Sequence, residues 1–172
     1  TADDILTMSV TTGLSTDQLQ EFKYASELID VSLDTMTGSM SKMINSMNTA
    51  RSGSKETAEA YRKLGIRITG TNGQLRDANT VYYEAIEKLG RIKNETERDA
   101  IAMKIFGESA RDLNPLIEAG ADRLAELADE AHNVGYVMSE DTLGKLGELD
   151  DAMQRFENQS TTLKNTLGLA LL

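Results

Sequence analysis

Along most of the chain, apolar residues recur every three or four positions, the period of a helix that buries one face. After Ser15 or Thr16, either of which can cap a helix start, they fall at Leu19, Phe22, Tyr24, Ala25, Leu28 and Ile29. Ser32 can cap a second helix running to about Arg51, with Leu33, Met36, Met40, Met43, Ile44 and Met47 on its apolar face. Ser52-Gly53-Ser54 interrupts the pattern. A short helix is predicted over 56–64, and Gly65 stands where a left-handed C-terminal cap belongs. Asp77 can cap the next helix, marked by Val81, Tyr82, Ala85, Ile86 and Leu89 and ending near Ile92. Asn94 and Glu97 have capping-box spacing ahead of Ile101, Ala102, Ile105 and Phe106, and Gly107 stops that helix. A short helical turn then leads to Pro115, which suits the first turn of a helix, and Gly120 punctuates again. Leu124, Leu127 and Ala128 predict a helix over 121–131, ended by Gly135. Ser139 caps the last and longest helix, whose stripe is Leu143, Leu146, Leu149, Met153, Phe156, Leu163 and Leu167, weakened midway at Gln159 or Ser160.

One stretch breaks the period. In 66–76, Ile66 and Ile68 alternate with polar residues, and Asn72-Gly73 is the strongest short hairpin signal a sequence offers. A two-strand ribbon of that length is marginal without helix packing, so an ordered glycine-rich loop and a minimal β-hairpin are both open. The expected fold is all-α: about six to eight short helices, this loop or hairpin near 66–76, and a long C-terminal helix. The expected organisation is a compact helical domain over 1–138 followed by a helix over 139–172. The chain starts at Thr1 and stops inside the apolar run Leu167-Gly168-Leu169-Ala170-Leu171-Leu172, so a piece of a longer polypeptide is expected.

Composition agrees with helices. Of 172 residues, 40% are hydrophobic and 27% charged, the balance of a chain able to build a core. Aromatics are only 5% and proline occurs once, leaving helix-breaking to 13 glycines. A β-sandwich would ask for more aromatic and β-branched residues. The net charge of −10 argues against nucleic acid, whose affinity comes mainly from Lys and Arg, and against anionic membrane surfaces. Absence of cysteine excludes a disulfide framework and thiolate metal sites. No apolar stretch reaches the length of a bilayer span.

Candidate chemistry is sparse. Met36, Met40, Met43 and Met47 share one helix face, a pattern used both in cores and on promiscuous binding surfaces; core packing is the expectation. His132 is the only histidine and lacks a second His or Cys for a metal site; a surface pairing with Asp129 near a helix C-terminus is expected. The acidic pairs Asp3-Asp4, Glu140-Asp141 and Asp150-Asp151 lack calcium-loop spacing and read as solvated faces and N-terminal helix charges. Gly70-Thr71-Asn72-Gly73 lacks the Gly-Lys-Ser/Thr ending of a phosphate loop and reads as a turn. Asn94-Glu95-Thr96 and Asn158-Gln159-Ser160 match the glycosylation acceptor pattern by chance, within helical pattern. No catalytic, cofactor-binding or metal-binding residue is predicted, and no cofactor.

The order of short phrases is more specific than any one of them. Leu14-Ser15-Thr16-Asp17-Gln18-Leu19 is followed by Tyr24-Ala25, then by Ala60-Tyr61-Arg62-Lys63-Leu64-Gly65-Ile66 and Gly73-Gln74-Leu75-Arg76-Asp77. Ile105-Phe106-Gly107-Glu108-Ser109-Ala110, Leu113-Asn114-Pro115-Leu116-Ile117-Glu118-Ala119-Gly120 and Gly135-Tyr136-Val137-Met138-Ser139 complete the series. From about residue 14 onward the chain resembles a region of phage tail tape-measure proteins, the rulers around which tail-tube subunits polymerise. The resemblance implies a non-enzymatic structural segment that sets tail length and assists tail assembly and DNA delivery. It implies contacts with tail tube, tail chaperone and tail tip proteins, and a place in the virion tail and, during assembly, in the host cytoplasm. Self-association through the C-terminal helix is also expected, because an unburied leucine face seeks a partner. The alternatives are a helical protein-binding module, such as an adaptor or secreted effector, and a peptidoglycan-hydrolase-associated domain.

Overall fold

In the computed structural model, which describes residues 1–171, the chain is all-α. Leu172, the last residue of the expected C-terminal helix, lies outside the described residues. The helices are α1 (Ala2–Thr12), α2 (Thr16–Leu28), α3 (Leu33–Arg51), α4 (Lys55–Leu64), α5 (Ala78–Gly90), α6 (Glu95–Phe106), α7 (Asn114–Ala119), α8 (Ala121–Asn133) and α9 (Glu140–Leu171), with a 3₁₀ segment at Gly107–Leu113. Most starts carry the side-chain cap that the sequence predicts. The hydroxyls of Ser15, Ser32 and Ser139 accept from the backbone N–H three residues on, as do the Asp77 carboxylate and the Asn94 amide oxygen. At Ser15 the arrangement is reciprocal, since its N–H donates to Gln18 Oε1.

Two glycines end helices in backbone that only glycine occupies readily. Gly107 (φ 64°, ψ −149°) turns the chain from α6 into the 3₁₀ segment, and Gly120 (φ 91°, ψ 162°) separates α7 from α8. Pro115 lies in the first turn of α7, where its missing N–H leaves no helical bond unmade. The stretch at 66–76 forms one antiparallel bridge, Thr69 to Leu75, closed by Gly70 N–H to Gln74 O (2.8 Å) and Arg76 N–H to Ile68 O (2.8 Å). It is a tight turn with a single rung rather than a strand pair.

The chain divides into two units. The first comprises residues 1–20 and 137–172; the second comprises 21–136. In this grouping the N-terminal residues join the C-terminal helix.

In the second unit α3 is the central element, packed by α4, α5, α6 and the 3₁₀ segment, while α7 and α8 pack on α5. Met36, Met40, Met43 and Met47 are all buried, so the methionine stripe is core. Tyr82 lies between Phe22 and Phe106, with ring centroids at 5.6 and 5.7 Å. Its hydroxyl pairs with Ser39 Oγ at 2.7 Å, which satisfies a polar atom held among apolar side chains. Burial of a side chain of this size contributes about 1.5–3 kcal/mol. Leu28, placed by its spacing on the apolar face of α2, is instead 56% exposed; the buried stripe of that helix passes through Ala25 to Ile29.

In the first unit α1, which the apolar pattern did not predict, packs against α9. Ile5 is its one buried residue, and Leu143 and Gly147 are the buried positions of α9. Gln20 ties this unit together: its amide accepts from Met138 N–H (2.9 Å) and donates to Met138 O (2.8 Å), copying the pairing of a backbone strand.

Candidate functional site

The residues singled out by their chemistry are dispersed. His132, at the end of α8, places Nε2 2.7 Å from Glu21 Oε2 of α2, a pairing that sequence spacing toward Asp129 did not suggest. Around it α2 and α8 are joined by Tyr24 O–H donating to Glu130 (2.7 Å) and by the edge-on stacking of Tyr24 on Tyr136, centroids 5.1 Å apart. Acceptance by Glu130 favours the neutral phenol and raises the Tyr24 pKa. Burial, with the Glu27 carboxylate close by, does the same at Tyr136. These groups hold helix to helix.

The acidic pairs separate in role. Asp4 receives the Thr1 amino group and hydroxyl, completing the capping box of α1. Asp141, in the first turn of α9, pairs with Lys145 at 3.2 Å. Asp3 faces Asp150 and Asp151, and partial desolvation together with those like charges raises its pKa above the ordinary 3.8. A Cβ at Gly147 would meet the Asp3 carboxylate, so the Asp3 side chain as placed here occupies the space that glycine leaves open. Among the described residues, no group of three or more His, Asp or Glu side chains is placed to hold a metal ion. Gly70–Gly73 is the turn of the single-rung bridge, with Asn72 Oδ1 accepting from Gln74 N–H. Asn94 caps α6, and Asn158 stands on the exposed surface of α9.

Two surface features stand out among the described residues. One is an open groove of about 430 Å³ in the second unit, floored by Ala100, Met103 and Ala110 and edged by Glu56, Asp99, Lys104 and Arg111. Lys104 and Glu56 close one edge with a 3.0 Å ion pair. The other is α9 itself. Leu143 is 1% exposed, yet Leu149, Met153, Phe156, Leu163 and Leu167 are 54%, 55%, 69%, 60% and 56% exposed. The stripe that the sequence marks as a packing face thus lies open beyond its first turns. No described helix is long and apolar enough to cross a membrane.

No family model matches the sequence, and no curated protein or solved structure shows significant similarity to it.

Proposed function

We propose that the chain is a structural segment of a phage or prophage tail tape-measure protein, acting through helix-to-protein contacts and not through catalysis. The supporting observation is the ordered series of phrases from Leu14 to Ser139, whose breaks fall where helices begin or end: Gly65, Asp77, Gly107, Pro115, Gly120 and Ser139. On this proposal the segment takes part in setting tail length, in assembly and in DNA delivery. Its partners are tail tube, chaperone and tip proteins, in the host cytoplasm during assembly and in the virion tail afterwards. The open apolar face of α9 suits such contacts.

The geometry of a ruler is arithmetic. At 1.5 Å per residue a continuous helix of this segment would span ~260 Å, whereas glycine-punctuated helices fold back on one another. An in-frame deletion of residues 1–172 in the encoding phage or prophage is the direct test, read as tail length by electron microscopy. Shortening approaching ~260 Å is expected if the segment is drawn out inside the tube. Unchanged tails would exclude a ruler role for it. A second proposal, a helical protein-binding module such as an adaptor or secreted effector, draws on the same α9 face and on the groove beside Met103. Tail tube, chaperone and tip genes beside the coding sequence favour the ruler; their absence favours the module.

A further inference from the structure

The exposed face of α9 keeps a strict heptad frame. With Leu146 at position a, the a and d positions run Leu146, Leu149, Met153, Phe156, Ser160, Leu163, Leu167 and Ala170. The flanking e and g positions hold Lys145, Asp150, Ala152, Glu157, Gln159, Lys164 and Thr166. Alternate steps of three and four place this seam on one side of a single helix, over ~36 Å at 1.5 Å per residue. A helix that repeats such a seam every seven residues is shaped to receive another helix with the same repeat.

A second copy of α9 fits in one orientation better than in the other. In a parallel, in-register pair every core residue meets its own kind, so two Phe156 rings crowd one layer and two small Ser160 side chains underfill the next. An antiparallel pair offers a register in which Phe156 of each copy sits against Ser160 of the other. Leu149 then meets Leu167, Met153 meets Leu163 and Leu146 meets Ala170. The same register sets Asp150 beside Lys164 of the other copy twice along one flank, where opposite charges select orientation. Its one unfavourable contact is Glu157 beside its own counterpart at the two-fold axis. The flanking charge that a parallel pair would use instead, Lys145 against Asp150, is already engaged within the helix by Asp141. We propose that this chain forms an antiparallel homodimer through α9 in that register, whatever larger protein it serves.

Because the chain has no cysteine, orientation can be trapped directly. Copies carrying Met153→Cys and copies carrying Leu163→Cys, tagged to differ in size, are mixed and oxidised mildly. The expected product joins one copy of each kind. Cross-links predominantly between like copies, or none, overturn the proposal. In parallel, sedimentation equilibrium of the unmodified 172-residue chain reads the association itself. Phe156→Asp is expected to weaken it by roughly tenfold or more, with helicity unchanged because the residue is exposed. Lys164→Glu is expected to weaken it, and Asp150→Lys in the same chain to restore it. A chain that stays monomeric at concentrations on the order of 100 μM, or a charge swap without rescue, would also overturn the dimer.

Discussion

The Asp3 carboxylate shows how one side chain can carry the acid–base behaviour of a helix pair. Desolvation between α1 and α9 and the nearby charges of Asp151 and Asp150 raise its pKa, so docked α1 holds the proton more tightly than free α1 does. Docking of α1 is therefore fullest below 3.8 and weakens as pH rises through the raised value. Asp151→Asn removes the nearest like charge while keeping a polar group within reach of Asp3. Amide hydrogen exchange across α1 is expected to slow at neutral pH in this variant, and the pH dependence above 3.8 to flatten. Equal exchange in the two proteins at neutral pH would show that the carboxylates do not govern this contact.

Among the helices, the caps were legible in advance and the docked faces only in part. Ser15, Ser32, Asp77, Asn94 and Ser139 act where the sequence places them because a cap spans three residues and needs no distant partner. Gly107 belongs to the same class of local signal. Its φ of 64° with ψ of −149° is strained for any residue with a side chain. Gly107→Ala is expected to cost about 1–3 kcal/mol, measured as a lowered urea midpoint with an unchanged slope. A midpoint equal to the parent would mean that the junction between α6 and the 3₁₀ segment relaxes freely. The exposure of Leu28 was illegible for the opposite reason. Periodicity gives two neighbouring stripes on α2, and only the surrounding helices decide which one is covered.

Across the molecule, the second unit holds phenols whose ionisation burial opposes. Burial pushes the pKa of Tyr61 and that of Tyr83 up to about 12, and raises Tyr82 further. For a group whose folded pKa lies above its unfolded value of about 10, stability is intact below that value and lost as pH rises through the folded one. Alkaline titration is expected to show this portion of the tyrosinate absorbance appearing late, together with the loss of helical circular dichroism. The chain has no tryptophan to obscure the signal. Phenols that ionise near pH 10 with helicity retained would contradict the buried placement of these rings. In the first unit the balance differs, since α9 buries Leu143 and Gly147 and leaves the rest of its stripe exposed.

From the order of residues alone came the helical class, nearly all the helix limits, the core role of the methionine stripe and the apolar stripe of α9. Each rests on interactions reaching no more than a few residues along the chain, or on a period that one face must share. Only folding in three dimensions decided that α1 would form against α9, that Gln20 would grip Met138, that Tyr82 would find Ser39, and that His132 would meet Glu21. Those pairings join residues distant in sequence, with the Tyr82 hydroxyl held inside an apolar core. Hydrophobic patterning is nearly indifferent to such partners until the backbone brings them within hydrogen-bonding distance.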